Sequence, residues 1–235
     1  MSAFKNITNL LEQWYDKKSI LAYNNILCIN QQFFDYFSSG KVEKHFSDIL
    51  NEIHDIHSYT REYGVTLGEK ISVAIISHFL QKNLIDINIC DVDPLIYIEE
   101  SKELDLGKTI TQINIAYFRK ISDYVITQGF ACWDHKIKGS NLGREGSDLT
   151  AILWAYVLHC ECSLYKDVSA LYTGDPKKYP NAQIVPNLTF TEYKKGYLGT
   201  GFIHDRVIDF CLKHKEMRLE IRSLDDQVGT SIKNY

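Results

Sequence analysis

Residues 143–158, Gly-Arg-Glu-Gly-Ser-Asp-Leu-Thr-Ala-Ile-Leu-Trp-Ala-Tyr-Val-Leu, join a glycine-rich polar loop directly to an apolar run. The apolar run predicts a buried helix over about 147–159. Ser147 or Asp148 can cap that helix, and the free N–H groups of its first turn then face any bound anion. Arg144 carries a planar guanidinium that suits a carboxylate or a phosphate. The stretch therefore predicts an anion-binding loop at the start of a helix.

A second polar cluster follows the next predicted strand, which covers about 162–166. The segment Tyr165-Lys-Asp-Val168 ends this strand, and Tyr172-Thr-Gly-Asp-Pro176 comes shortly after it. In parallel sheets, ligands collect at the carboxyl ends of the strands. Because one buried helix separates the two polar clusters, we expect them to form a single phosphate-handling site.

Helices and short apolar strands alternate along most of the chain. This order predicts an α/β protein, a three-layer α/β/α sandwich with a mainly parallel central sheet. Helices are expected over most of 4–59 and over 68–81, 108–120, 147–159 and 204–214. Strands are expected over 85–90, 123–128, 162–166 and 217–222, the last of which should close the chain. No linker or repeat is visible, so we expect one domain over residues 1–235.

The composition excludes several classes of protein. A formal net charge of −4 argues against binding to nucleic acid or to an anionic membrane. No apolar run reaches the length of a membrane span, and no signal peptide is visible, so the cytoplasm is the expected compartment. The six cysteines predict reduced and mostly buried thiols. Cys160 should end a helix, and Cys162 should begin a strand. We do not expect them to bind a metal, because no second pair of ligands with matching spacing is present.

Several motifs, taken together and in order, resemble the aspartate kinases of the amino acid kinase superfamily, whose fold is carbamate kinase-like. The matching segments are Gly68-Glu69, Thr127-Gln-Gly-Phe130, Leu142-Gly-Arg-Glu-Gly-Ser-Asp148, Lys166-Asp-Val168, Tyr172-Thr-Gly-Asp-Pro176, Leu198-Gly199 with His204, and Arg222-Ser with Val228-Gly-Thr230. The similarity covers nearly the whole chain. It implies a helix-rich, amino-acid-binding half at 1–120 and a nucleotide-binding half at 121–235.

The resemblance implies transfer of the γ-phosphoryl group of ATP to the β-carboxylate of L-aspartate, with Mg²⁺ as cofactor and a homodimer as the assembly. Arg144 would hold a substrate carboxylate, Glu69 the substrate ammonium, and Ser147 would add a hydrogen bond. Asp148 would act at the reacting phosphates. The residues expected at the nucleotide are Lys166, Asp167, Tyr172, Asp175 and Lys177.

The chain departs from the family pattern in three places. In the family, the first strand ends in the motif Lys-Phe-Gly-Gly, and this motif is absent from the sequence. Ser2-Ala3 aligns with the end of the family's second strand. A β-α-β unit of roughly 30 residues is therefore expected to be missing upstream. Either the gene start is assigned late, or the truncation is real; upstream DNA encoding the motif in frame would decide. Gly201 stands where the family has a lysine, and we expect no regulatory domains after Thr230.

Each assigned residue also has a purely structural interpretation. Arg144 can pair with Glu145 or Asp148 on the surface, and Asp148 can serve only as a cap. Glu69 can be a carboxylate that only stabilises the first turn of its helix through the helix dipole. Tyr172 can be a residue that only packs in the core. The leading hypothesis is an aspartate kinase catalytic domain. The alternatives are a non-catalytic, kinase-like binding module and an enzyme that phosphorylates another amino acid or small carboxylate.

Overall fold

The computed structural model describes most of the chain: residues 3, 6–37, 44–91, 93, 95–118, 123–134, 139–168, 170–176, 178–197, 202–224 and 229–234. The chain folds as two compact units, residues 1–147 and 148–235. The boundary falls within a helix rather than in a linker. The predicted single domain with halves at 1–120 and 121–235 stays a prediction, because compactness alone does not distinguish a two-part domain from two domains.

The first unit begins with helices, as the sequence predicts for residues 4–59. Its helices are α1 (Ile7–Lys17), α2 (Ile20–Phe37), α3 (Lys44–His54), α4 (Arg61–Gly64), α5 (Leu67–Lys82) and α6 (Leu106–Phe118), with a 3₁₀ turn at Ile56–Ser58. Lys18, which separates α1 from α2, has a φ of 49°, so the chain turns there instead of continuing as one helix.

The core of the first unit forms between α1, α2, α3 and α5. Ile7 and Leu11 of α1 pack with Ile26 of α2, Ile53 of α3 and Ile71 of α5, and all five are buried. Full burial of one such side chain is worth about 1.5–3 kcal/mol relative to exposure. Helix α5 is buried along most of its length, which agrees with its continuous apolar sequence. The predicted helix over 68–81 is therefore confirmed.

Short strands complete the first unit. Strand β1 (Asn88–Cys90) pairs in parallel with β3 (Val125–Thr127). Strand β2 (Tyr97–Ile98) pairs in parallel with β4 (Ala131–Asp134), which pairs antiparallel with β5 (Ser140–Asn141). The strand predicted over 85–90 begins only at Asn88. Its partner β3 has just three residues, so residues 85–87 have no strand beside them in the described chain.

The second unit contains a four-stranded sheet in the order β6-β8-β9-β7. These strands are β6 (Cys162–Tyr165), β7 (Asn187–Thr189), β8 (Arg218–Arg222) and β9 (Thr230–Lys233). The pairs β6–β8 and β7–β9 are parallel, and β8–β9 is antiparallel. Parallel pairing thus predominates, as predicted. The strand predicted over 217–222 is present, but the prediction that it closes the chain is wrong because β9 follows it.

Three helices belong to the second unit or lead into it. They are α7 (Gly146–Val157), α8 (Phe190–Gly196) and α9 (Asp205–Lys213). Helix α9 confirms the helix expected at 204–214. Helix α8 follows β7 without a loop and was not predicted, although its sequence carries a capping signal. The Thr189 side chain accepts from the backbone N–H of Glu192, and the Glu192 carboxylate accepts from the backbone N–H of Thr189.

All six cysteines are free thiols, but the expectation that they are mostly buried holds for only half of them. Cys132, Cys162 and Cys211 are buried, whereas Cys28 and Cys160 are exposed. Cys162 opens β6, as predicted. Helix α7 ends at Val157, so Cys160 lies in the link between helix and strand rather than in the core.

Candidate active site

The loop before α7 is a tight turn held by a side chain. The Asn141 carboxamide donates to the carbonyl of Glu62 (2.8 Å) and accepts from the N–H of Gly143 (3.0 Å). Gly143 has a φ of +77°, a conformation that favours glycine. Helix α7 begins at Gly146, so Ser147 and Asp148 lie in its first turn. The expectation that one of them precedes the helix as its cap is therefore wrong.

Two glycines allow close packing around the start of α7. A Cβ added to Gly129 would lie 2.7 Å from the Cα of Ser147, and one added to Gly146 would lie 2.8 Å from the Cβ of Leu142. Real Cβ atoms do not make such contacts. The backbone at Gly129, just beyond β3, therefore fixes where Ser147 lies in the first unit.

Glu69 lies in the first turn of α5 and is buried, with 5% of its surface exposed. Burial raises the pKa of its carboxyl group to about 8, although hydrogen bonds from the backbone of Glu69 and Ala3 counteract part of this effect. Its Oε2 atom has no hydrogen-bond partner within the described chain. A buried polar atom without a partner is costly and calls for an explanation. A bound ammonium group would satisfy it.

Arg144 lies on the loop before α7 and is exposed. Among the described residues, no carboxylate lies within ion-pair distance of its guanidinium. The surface pairs with Glu145 or Asp148 that offered a structural interpretation therefore do not form in the described chain. The expectation that Arg144 and Glu69 bind the same substrate stays a prediction.

Asp148 and Lys166 meet in the second unit. The Lys166 ammonium donates to Oδ2 of Asp148 at 2.5 Å, and both side chains are largely buried. Asp148 lies in the first turn of α7, and Lys166 directly follows β6, where its N–H donates to the carbonyl of Arg222 (2.8 Å). The pair therefore combines a cation and a carboxylate at a strand end. Asp167 beside it is exposed.

A cavity of about 440 Å³ lies beyond the end of β6 in the second unit. Tyr172, Asp175 and Pro176 line it, as the resemblance implies. Tyr197 and Phe202 also line it, and these two residues were not predicted. The Tyr197 hydroxyl donates to the carbonyl of Tyr172 at 3.2 Å. The volume lies in the usual range for a small-molecule site. Lys177 lies outside the described residues, as do Leu198, Gly199, Gly201 and Val228.

The first unit contains another polar cavity, of about 510 Å³, that sequence reasoning missed. Lys70 at its wall is buried; its ammonium lies 2.9 Å from Oδ2 of Asp93 and donates to the Tyr63 hydroxyl at 2.6 Å. Burial lowers the pKa of Lys70, but Asp93, Asp91 and other neighbours outweigh it and leave the pKa raised. A lysine within the apolar sequence of α5 was the available signal, since such a residue is almost never buried without a partner.

Similarity to known proteins agrees with this fold. Residues 22–223 match the amino acid kinase family. The chain belongs to the amino acid kinase family. Because the match covers most of the sequence, the predicted fold class, an α/β amino acid kinase fold, is confirmed.

Proteins with sequences similar to this chain include aspartokinases. Sequence identity is 29% to an aspartokinase of Geobacillus stearothermophilus, over 83% of this chain and 49% of the relative. It is also 29% to a bifunctional aspartokinase/homoserine dehydrogenase of Buchnera aphidicola, over 79% of this chain and 24% of the relative. The chain thus spans about half or less of the length of these relatives.

Solved structures have the same fold. The structure of E. coli aspartokinase III in complex with aspartate and ADP superposes with a TM-score of 0.84 and 22% identity, over 99% of this chain and 57% of the other. The aspartate kinase of Clostridium acetobutylicum gives a TM-score of 0.76 at 18% identity, over 97% of this chain and 51% of the other.

The described residues contain neither a membrane-spanning helix nor a cluster of metal-binding side chains. None of the described helices combines the length and apolar character needed to cross a bilayer. In the same part of the chain, no three His, Cys, Asp or Glu side chains group closely enough to hold a metal ion.

Proposed function

We propose that the protein transfers the γ-phosphoryl group of ATP to the β-carboxylate of L-aspartate. The observation that carries the proposal is Glu69, a buried carboxylate in a kinase-family fold, whose Oε2 atom lacks a hydrogen-bond partner among the residues that the structure describes. An α-ammonium group supplies both the charge and the donors that this atom lacks. The aspartokinase relatives support aspartate as the acceptor.

The amino-acid end of the site is assigned to the first unit. Glu69 binds the ammonium of the acceptor, and Arg144 forms a bidentate pair with one of its carboxylates. Ser147, whose position is fixed by the Gly129 contact, adds a hydrogen bond. Arg144 is exposed, so it is accessible to a small carboxylate.

The phosphate and nucleotide end is assigned to the second unit. Lys166, held by Asp148, provides a cation for the phosphates, and Asp167 and Lys177 are further nucleotide contacts. The cavity lined by Tyr172 and Asp175 binds the nucleoside. We expect the assembly to be a homodimer, as the family resemblance implies.

Mg²⁺ fits this set of donors. It is usually bound through one or two carboxylates together with substrate phosphates and water, so a protein cage of three ligands is not required. Asp148 offers carboxylate oxygens in the first turn of α7 and would be the residue that holds the ion. When bound, Mg²⁺ neutralises charge on the transferred phosphoryl group.

The reaction requires positioning more than proton transfer. An oxygen of the acceptor β-carboxylate forms a bond to the γ-phosphorus, and the bond from that phosphorus to the β–γ bridging oxygen breaks. ADP leaves with the electron pair, and the product is aspartyl phosphate. Because a carboxyl group with an ordinary pKa is ionised at neutral pH, no general base is needed. Glu69 and Arg144 orient the acceptor, while Lys166 stabilises negative charge on the phosphates.

The proposal is tested by ADP release from ATP and Mg²⁺ with L-aspartate, combined with hydroxylamine capture of the acyl phosphate. We expect aspartate-dependent ADP release and capture of the aspartyl adduct. Arg144→Ala should raise the half-saturating aspartate concentration by about 10- to 100-fold, as for loss of a charged hydrogen bond, and leave that of ATP nearly unchanged. Arg218→Ala, which removes an exposed arginine paired with Glu161, is the matched control.

Three outcomes would contradict this assignment. Binding of ATP and aspartate without ADP release would indicate the non-catalytic binding module instead. Release with another small carboxylate, but not with aspartate, would change the acceptor. A larger effect of Arg144→Ala on ATP than on aspartate would remove Arg144 from the amino-acid end.

A further inference from the structure

Lys70 connects several separate segments of the first unit. Its ammonium lies 2.9 Å from Asp93, 3.6 Å from Glu52 of α3 and 3.8 Å from Asp91, and 2.6 Å from the Tyr63 hydroxyl of α4. It also lies over the Tyr63 ring, 4.9 Å from the centroid. Only 9% of its side chain is exposed. One buried cation on α5 therefore contacts α3, α4 and the segment after β1.

Gln128 extends this network to the end of β3. Its amide nitrogen donates to Oδ1 of Asp91 and, at 3.3 Å, to Oδ1 of Asp93. Gln128 is buried and is followed by Gly129, whose backbone lies directly against Ser147. The chain of contacts from Lys70 through Asp93 and Gln128 thus ends beside a residue of the amino-acid end of the proposed site.

Lys70 also directly follows Glu69 in the first turn of α5. Successive residues of an α-helix are about 100° apart around its axis, so the direction of one side chain fixes that of its neighbour. Anchoring Lys70 to Asp93 therefore constrains the rotation of the first turn of α5, in addition to the packing of its apolar residues. The Cα–Cβ bond of Glu69, whose Oε2 atom has no partner in the described chain, turns with that part of the helix.

We propose that Lys70 is a positioning residue for the amino-acid end of the site: through Asp93 and Gln128 it holds Glu69 and Ser147 in place. The inference rests on the proposed function, because it assigns Glu69 and Ser147 to the acceptor. Lys70 itself touches neither ATP nor aspartate in this proposal. A buried ion pair with no such role would affect folding stability alone.

The test compares Lys70→Met with Lys70→Arg in the full chain. Calorimetry would measure binding of L-aspartate and of ATP with Mg²⁺ at a temperature where circular dichroism finds every variant folded. We expect Lys70→Met to weaken aspartate binding by about tenfold or more, as for loss of a charged hydrogen bond to the acceptor, with ATP binding close to that of the parent. Lys70→Arg, which keeps the cation, should restore most of the affinity for aspartate.

Two matched controls separate positioning from loss of stability. Arg61→Met removes an ion pair with Asp16 on the surface of the same unit. Ile53→Val removes a methylene from the helical core without touching the network. Both should leave aspartate binding unchanged. Equal weakening of aspartate and ATP binding in Lys70→Met, or aspartate binding as tight as in the parent, would overturn the proposal.

A second readout does not depend on the proposed function. The ionisation of Glu69 can be followed by ¹³C NMR of its carboxyl carbon in the parent and in both variants. If Lys70 holds Glu69 in its buried place, Lys70→Met admits water and lowers the pKa of Glu69 toward its ordinary value, and Lys70→Arg does not. Loss of a nearby cation alone has the opposite sign and raises that pKa. An unchanged or raised pKa in Lys70→Met would refute the positioning role, whereas failure of the parent to bind aspartate would refute only the proposed function.

Discussion

Glu69 illustrates how one buried carboxylate couples folding to pH. Burial raises its pKa from the ordinary value of 4.5 to about 8. Between these values, the folded chain keeps a proton that the unfolded chain has lost. The folded state is therefore stabilised below about pH 4.5 relative to higher pH, and this contribution is lost as the pH rises toward 8.

We expect Glu69→Gln to remove this dependence. At pH 4 the variant and the parent should have similar free energies of unfolding. Above pH 8 the variant should be more stable by on the order of 5 kcal/mol, at about 1.4 kcal/mol per unit of the pKa shift from 4.5 to about 8. Urea unfolding at a series of pH values would measure the difference. Glu103→Gln, at an exposed position, serves as control. A difference between Glu69→Gln and the parent that does not vary with pH would contradict the raised pKa.

Gly129 determines how closely two segments of the first unit approach. An added Cβ would meet the Cα of Ser147 at 2.7 Å, and that backbone atom belongs to the first turn of α7. The Gly129 backbone and the start of α7 must therefore separate if a side chain is present.

We expect Gly129→Ala to lower the free energy of unfolding by about 1–3 kcal/mol, as overpacking usually does. Gly107→Ala is the matched control, because its Cβ would meet only the Asp105 carboxylate, at 3.9 Å. Alanine is also the better helix former there, so Gly107→Ala should be neutral or stabilising. Chemical denaturation of both variants would decide, and equal stabilities would show that the close approach is not required.

At the scale of elements, α8 shows how a helix can start without a loop. Strand β7 ends at Thr189 and α8 begins at Phe190, so the turn from strand to helix depends on the capping box formed by Thr189 and Glu192. The hydrogen bonds are 2.7 Å from the N–H of Thr189 to the Glu192 carboxylate and 3.0 Å from the N–H of Glu192 to the Thr189 hydroxyl.

We expect Thr189→Ala to reduce the free energy of unfolding by about 1 kcal/mol through loss of this cap. Thr189→Ser keeps the hydroxyl and should lose much less. Hydrogen exchange of the α8 amides would localise the effect to the first turn. Protection in Thr189→Ala equal to that in Thr189→Ser would show that the cap contributes little.

The elements predicted from sequence and those missed differ in a physical way. The apolar runs of α5 and α7 predicted their own helices because each is long enough to carry a periodic pattern. Strands β7 and β9 have three and four residues, and such short runs carry little pattern. Their strand character comes from pairing: β9 lies between β8 and β7, and β7 is more than 40 residues away from it in the sequence.

At the scale of the whole molecule, the family motifs fall at the ends of elements in both units. Gly68-Glu69 opens α5, Gly129 follows β3, and Lys166 follows β6. The sequence predicted that polar residues at strand ends would group, and the Asp148–Lys166 pair agrees with this prediction. The roles of these residues in binding stay predictions until ligand binding is measured.

The sequence by itself determined the α/β class, the order of most elements and the family, because these depend on local periodicity and on motifs within short segments. Only the tertiary structure decided that Glu69 is buried with one carboxylate oxygen lacking a hydrogen-bond partner among the described residues, and that Lys70 lies near three carboxylates. Burial and polar contacts depend on residues that are far apart in the chain, such as Asp93 and Gln128, which are hydrogen-bonded although 35 positions separate them in the sequence. The loss of water around Glu69 and the charges around Lys70 therefore cannot be predicted from any short stretch of sequence.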